Sequence, residues 1–598
     1  MLITPAHMPS HTCPDRAELT RLLFLDGTRG PDVHGHWRRA VSAELFRYRS
    51  GMGHEERWDL SYRRLRALNE GLPSAERLAR DPRELAALHE WASAVDGATA
   101  TVAGIHFNLF LGSLLDGTLS PARDLGAFLS LERVGTFLCT EYAHGNDAAA
   151  LETVARYDRE RDEFDLHTPH PGARKYMPNT SPAGGPKSAV VAARLELDGR
   201  DQGVFLFLTP LSDHTGALPG VTVTALPERI GSPVDHCVTS FEHVRLPRSA
   251  LLQGPHGHLT PDGTLNSQLG NPRKRFLHAI RRVTVGKLCM STSTLGGSRA
   301  ALATAVRYAH TRHISGPRSG TRVPLAAHRS HHSRLLDQVA TAYAMTFWHR
   351  RVTERWVSHP PEDRARAERL VAVAKGWITW RAREIVTECR ERCGAQGLLP
   401  VNGLAEFAAN ADGAITAEGD NLAVWCKAGA EMIFDHPAAP PPTPATGEES
   451  LTDPAFLREA LRATERHRHL AARHDLRNSH ERDALGRWNH ASAAALSLVD
   501  AHALGQAADA FAEASARCAA PATRPVLENL CGLFLLAHVS RDSGTLLAEG
   551  VLTPGHVRGL PGAVQRVTAR LAPHLSTLTE AFDVPEEHLA SLPMLSGA

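Results

Sequence analysis

Thr140-Glu141-Tyr142-Ala143-His144-Gly145-Asn146-Asp147 stands where the texture of this chain changes, and the fold reads outward from it. Upstream, to about Leu131, apolar residues recur at helical spacing between Pro and Gly breaks, as in Glu84-Leu85-Ala86-Ala87-Leu88-His89-Glu90-Trp91. Downstream the runs are short and β-rich: Ser188 to Leu197, Gly203 to Thr209, Gly220 to Leu226 and Cys237 to Val244. After a polar loop from Gly254 to Asn271, Ala-rich segments long enough for a helical bundle return at Val283 to His313, Ser333 to Val357 and Glu362 to Arg392. Pro437-Ala438-Ala439-Pro440-Pro441-Pro442-Thr443-Pro444 reads as a stiff spacer, and helical patterning resumes from Asp453. The pattern predicts a mainly α chain with a central β-domain. Its parts are an α-domain over 1–134, a β-domain over 135–254, a helical bundle over 255–436, a Pro-rich linker over 437–452 and a second bundle over 453–598.

A length of 598 residues implies roughly two to four domains. The 66 Lys plus Arg nearly balance the 65 Asp plus Glu, which argues against nucleic-acid binding driven by bulk charge. No apolar run is expected to cross a bilayer, and Met1 to Thr20 lacks a basic flank and an apolar signal core, so no membrane association is expected. The nine Cys are odd in number and scattered, with only Cys389 and Cys393 one helical turn apart, which fits reduced thiols. The His clusters, His34 with His36, His331 with His332 and His467 with His469, lack nearby Cys or acidic partners at ligand spacing, so no metal site is expected.

No G-x-S-x-G elbow, P-loop or properly placed G-x-G-x-x-G is present, and βαβ alternation is missing, which removes the common nucleophile and nucleotide readings. Two further loops join the first: Cys393-Gly394-Ala395-Gln396-Gly397 and Ala417-Glu418-Gly419-Asp420-Asn421. Each combines glycines, which let backbone approach a ligand, with polar groups that could orient one. Singly they also read as an ordinary turn, a helix C-terminus and a helix N-terminus with dipole-favoured acids.

In order and spacing the loops resemble the acyl-CoA oxidase branch of the acyl-CoA dehydrogenase superfamily. That branch opens its β-domain with Thr-Glu-x-x-His-Gly and a Leu-Glu-Thr segment, matched by Thr140 to Gly145 and Leu151-Glu152-Thr153. Phe241-Glu242-His243-Val244-Arg245-Leu246-Pro247 is similar to its exit strand, and Ala305 to Arg312 to its helix ending in an Arg. Gly394 with Gly397, then Glu418-Gly419-Asp420-Asn421 and Ala581-Phe582-Asp583-Val584-Pro585, complete the series.

The resemblance implies FAD-dependent α,β-desaturation of an acyl thioester with oxygen as electron acceptor, with Glu418 as the base that takes the α-proton. It places Thr140, Gly145, Tyr176, Asn179, Arg312, His328, Gly394, Gly397 and Asn421 at the cofactor, and Tyr142, Asn146, Lys287 and Gly419 toward the substrate. Tyr176 follows a Lys where the oxidases have two Trp, His328 stands for a Gln, and Asn179 replaces a Gly that lies against the flavin. Asn179 is therefore expected to crowd the approach of oxygen. Arg312 is expected to reach the FAD of a neighbouring subunit, which implies a homodimer. The substrate is an acyl group on CoA or on a carrier protein. Met594 to Ala598 is not a Ser-Lys-Leu-type address, and a bacterial cytoplasmic location is expected. The alternatives are a dehydrogenase that reduces a protein acceptor and, in another class, a non-catalytic flavoprotein scaffold.

Overall fold

Helices begin where side chains can cap them. Asp81 accepts from the amide of Arg83, Asp96 from Ala98 and Asp453 from Ala455, with Pro82 and Pro454 at the first helical position, where a missing N–H costs nothing. The computed structural model describes residues 13–24, 33–120, 122–437 and 440–596. The chain forms two compact units. One joins Pro31–Gly297 with Ala405–Ala423; the other joins Ser298–Leu404 with Val424–Ala598 and the residues up to Gly30.

In the first unit the strands follow the expected runs. β1 (Val134–Leu138), β2 (Val154–Asp158), β3 (Glu163–His167), β4 (Lys175–Pro178), β5 (Lys187–Leu197) and β6 (Arg200–Pro210) supply most of the β-structure. β5 is the axis of the larger sheet: β1 and β2 pair parallel along it, β6 pairs antiparallel, and the sheet continues through β3 to Val244–Pro247. Ser188 to Ala193 of β5 is buried without alternation, the pattern of a strand whose two faces are both packed against other parts of the fold. A smaller antiparallel sheet sets His236–Phe241 between β4 and Val221–Ala225. Leu138, Phe164, Val191, Phe205 and Phe207 of the larger sheet and Phe241 of the smaller one share one core.

The helical part of this unit holds a surprise for the hydropathy reading. Gly97–Asp116 is long and apolar enough to cross a membrane, which corrects the expectation that no such run exists, but 89% of its window is buried inside the fold. It is a core helix. Gly135 of β1 has no room for a Cβ because Phe110 of this helix lies against it.

The second unit is a helical bundle built on Arg329–Ser358, Arg364–Arg392, Pro454–Arg477, Ala484–Ala516, Arg524–Arg541 and Pro554–Leu571. Trp348 and Trp377 meet edge to face at 5.4 Å, and Gly376 makes room for Trp425. The described residues of the Pro-rich stretch form neither helix nor strand, yet the chain does not divide there. Ala445 donates to Gly550 O (2.9 Å) and Glu449 O pairs with His556 Nε2 (3.0 Å), so the stretch lies along the bundle. The units divide at Gly297/Ser298 within helix Arg282–Thr311, because a helix of 30 residues is long enough to contribute to two cores.

Candidate active site

Helix Leu404–Thr416 ends at a turn with an unusual backbone. Glu418 sits at φ +59° and Gly419 at +98°, and Asp420 Oδ1 then accepts from Leu422 N at 2.9 Å, capping helix Asn421–Asp435. Left-handed backbone is ordinary for Gly but costs a residue such as Glu about 1–3 kcal/mol. The turn directs the Glu418 side chain onto Gly286 of helix Arg282–Thr311, where any Cβ would overlap its carboxyl carbon and Oε1. That helix is held at its start by Arg281 and Arg282, which clamp Asp116 at 3.0 and 2.7 Å. Burial raises the thiols of Cys139, to about 11, and of Cys289, and the nearby Glu418 charge raises both further. The Glu418 charge is thus felt at Cys139, which precedes Thr140 just beyond β1. Lys287 is half-buried one residue beyond Gly286, about 100° around the helix.

The Thr140 loop is fixed from beneath. Glu141 and Lys175 are fully buried and paired at 2.9 Å; Glu141 also accepts from Glu152 N, Thr153 N and Thr153 Oγ1, while Lys175 Nζ donates to Ala192 O at 2.7 Å. Burial works against the Glu141 carboxylate, and the ammonium with these donors outweighs it, so the carboxyl titrates below its ordinary range. Lys175, by contrast, is lowered by burial despite Glu141. On this base Tyr176 N donates to Thr140 O and Tyr142 N to Arg174 O, both at 2.9 Å. Tyr142 and Tyr176, 60% and 38% exposed, face each other edge on at 5.8 Å. Gly145 is exposed and Asn146 takes φ +58°.

Asn179 is where the structure departs from expectation. Its side chain is fully buried: Oδ1 accepts from Tyr62 Oη (2.5 Å) and Lys187 Nζ (2.8 Å), and Nδ2 donates to Gly135 O (3.0 Å). The single hydroxyl proton of Tyr62 is shared with Asp235 Oδ1, which lies at 2.8 Å, and Lys187 stands 3.8 Å over the Tyr62 ring. Burial lowers the Lys187 ammonium to about 8 and raises the Tyr62 hydroxyl. These partners give the Asn179 side chain an internal role that is separate from the expectation that it crowds oxygen.

Arg312, His328, Gly394 and Gly397 lie in the other unit. Arg312 follows the last turn of helix Arg282–Thr311; its side chain is exposed and makes no ion pair among the described residues. His328 precedes helix Arg329–Ser358 without capping it, and its Nε2 is buried without a hydrogen-bond partner. Gly394 (φ +57°) follows the C-cap Cys393, and a Cβ at Gly397 would overlap the Arg390 carbonyl oxygen. These two glycines thus have an internal reason, the sharp end of a helix. Asn421 is buried at the first position of its helix. Sequence reasoning passed over Gly286 and the Glu141 carboxylate. A Gly inside a helical run is the one signal for the former, and none exists for the latter.

An α-domain, a curled sheet on a long central strand and helical bundles, with a carboxylate turned onto a helix beside the first strand, define the acyl-CoA dehydrogenase-like class. Residues 282–433 match the family described as "Acyl-CoA oxidase, C-alpha1 domain" and residues 453–592 the family "Acyl-CoA oxidase". The chain belongs to the acyl-CoA oxidase family. It is 26% identical over 558 residues to acyl-coenzyme A oxidase 2, peroxisomal, of Arabidopsis thaliana, covering 86% of this chain and 80% of that one. The crystal structure of acyl-CoA oxidase 3 from Yarrowia lipolytica superposes with a TM-score of 0.84 at 22% identity, covering 98% of this chain and 89% of the other. Acyl-CoA oxidase-1 of Caenorhabditis elegans, solved with FAD and ATP, gives 0.81 at 20% identity, covering 96% and 90%.

Proposed function

We propose that this protein is an FAD-dependent acyl-CoA oxidase: it removes the α-proton and β-hydride of an acyl-CoA, leaves the α,β double bond, and passes the electrons to oxygen as hydrogen peroxide. The observation that carries the reading is the Glu418 carboxylate, held on Gly286 by a left-handed turn. An acyl α-proton is weakly acidic, so its removal needs a carboxylate fixed at reacting distance and donors aimed at the thioester carbonyl. Glu418 is the acceptor of that proton. The loop from Tyr142 to Asn146, anchored by the Glu141–Lys175 pair, shapes the thioester end, and Gly419 lets the backbone approach the substrate. Lys287 is assigned to the CoA portion.

The residues present fit a flavin nucleotide. The unpartnered Nε2 of His328 and the uncompensated guanidinium of Arg312 are groups of the kind that an isoalloxazine edge and a pyrophosphate satisfy. Thr140, Tyr176, Gly145 and Asn421, with the Gly394 to Gly397 turn, are the other groups assigned to it. FAD supplies the hydride acceptor when bound.

The relatives cited are oxidases, which does not favour a protein electron acceptor or a scaffold role. A homodimer is part of the proposal, supported by the exposed Arg312, and light scattering of the purified protein tests it. Use of CoA over a carrier protein is tested by comparing the two thioesters. A cytoplasmic location rests on the sequence expectation, and cell fractionation tests it. The central experiment is anaerobic addition of an acyl-CoA panel to the FAD-loaded protein, then air. Flavin bleaching followed by fast recolouring with peroxide is expected; bleaching that persists in air would overturn the oxidase assignment, and failure to bleach with any acyl-CoA would overturn the desaturation.

A further inference from the structure

Away from the Glu418 turn, three helical segments of the bundle bring together residues that are far apart in sequence. Glu465 lies on helix Pro454–Arg477, His502 on helix Ala484–Ala516, and His436 immediately follows helix Asn421–Asp435. One oxygen, Glu465 Oε1, meets His436 Nε2 at 2.7 Å and His502 Nδ1 at 2.9 Å, and the three ligand atoms all lie within 4.8 Å of one another. His469 is one helical turn beyond Glu465 on the same face, and its ring centroid is 5.6 Å from that of His436.

We propose that His436, Glu465 and His502, with the buried His469 beside them, form a binding site for a borderline-soft divalent cation, Zn2+ in the first place. The donor set is the imidazole and carboxylate mixture that such ions take, projected inward from facing helices of a bundle. A tetrahedral ion spaces its ligand atoms about 3.3 Å apart, so the two His–Glu contacts need to open by only about half an ångström. Independent support comes from His469. It is 1% exposed and neither ring nitrogen has a hydrogen-bond partner; the carbonyl of Ile433 nearby is taken by Arg473 Nε at 2.8 Å. Arg473 is the neighbouring cation, and its guanidinium is turned to the carbonyls of Ile433 and His436. The His436, Glu465 and His502 side chains retain 18, 13 and 15% exposure, enough for an ion to enter.

The test uses the flavin-loaded full chain, stripped with a chelator and titrated with Co2+ and with Zn2+. One ion per chain is expected, with the visible ligand-field bands of four-coordinate Co2+ displaced by Zn2+. Affinity should fall by about a hundredfold or more in His502→Ala and in Glu465→Gln, and should be unchanged in His467→Ala, which removes a surface His paired with Glu549. Wild-type affinity in His502→Ala or Glu465→Gln, or a Co2+ spectrum like that of the hydrated ion, would overturn the site and leave the cluster as an ion pair. If His502→Ala does not fold, the wild-type cobalt spectrum and Glu465→Gln decide between the same two outcomes.

Discussion

Two glycine-bearing turns, Cys393 to Gly397 and Ala417 to Asp420, end helices in the same chain and are built in opposite ways. In the first the left-handed position goes to Gly394 at φ +57°, and Gly397 is a glycine because the Arg390 carbonyl occupies the space of a side chain. Nothing in that turn is strained, and both glycines serve the turn itself. In the second the left-handed position goes to Glu418, although Gly419 is next to it, and the glycine that makes this tolerable is Gly286, distant in sequence. Strain of about 1–3 kcal/mol is kept where a carboxylate must point in one direction. A turn that spends backbone strain on a reactive side chain is a different object from one that spends none, however alike their sequences look.

The contrast breaks most visibly at Glu418. Glu418→Gln should keep the fold and FAD but lower the rate of flavin reduction by about 10²–10⁴-fold, since the amide cannot accept the α-proton; stopped-flow bleaching near the wild-type rate would move the base elsewhere. Asp420 is a poor substitute because it caps the next helix.

Gly286→Ala should lower the same rate by about a hundredfold with little change in melting temperature, because the carboxylate has to leave its position. An unchanged rate would show that Glu418 does not work from where it rests.

At the other turn the signs reverse. Gly397→Ala should destabilise the protein by roughly 1–3 kcal/mol through overpacking, as seen by chemical denaturation, with reduction per bound flavin unchanged, whereas Gly394→Ala should cost only about 1 kcal/mol for its left-handed backbone. Lost FAD affinity at full stability would make this turn a cofactor contact first.

Asn179 sharpens the comparison as a third left-handed residue, at φ +69°. Asn179→Gly suits that backbone, so its effect isolates the side chain: Lys187 and Tyr62 lose an acceptor, at about 1–3 kcal/mol. Stopped-flow reoxidation in air should not change; a faster rate would restore the expectation that Asn179 crowds oxygen.

Much of the architecture was legible because periodicity is local. The helical texture before Leu131 and the strand runs around Ser188 to Leu197 appear where the sequence places them. Gly97–Asp116 was missed because an apolar core helix and a membrane span differ only in what surrounds them. The unit boundary at Gly297 was missed because nothing in the composition of helix Arg282–Thr311 marks which core each half enters. For the site, motif order pointed to Glu418 and the Thr140 loop, whereas the partners of the Asn179 side chain, Tyr62, Lys187 and Gly135, come from distant segments that no motif records.

By itself the sequence determined the element types and the family, and it singled out Glu418 as the carboxylate to propose as the base, since each depends on residue type and on spacing along the chain. Tertiary structure alone decided that Glu418 rests on Gly286, that Glu141 and Lys175 underpin the Thr140 loop, and that His436, Glu465 and His502 converge. The reason is that a side chain's burial and partners depend on segments tens or hundreds of residues away. Only packing brings those segments together, and no local pattern records which pairs will meet.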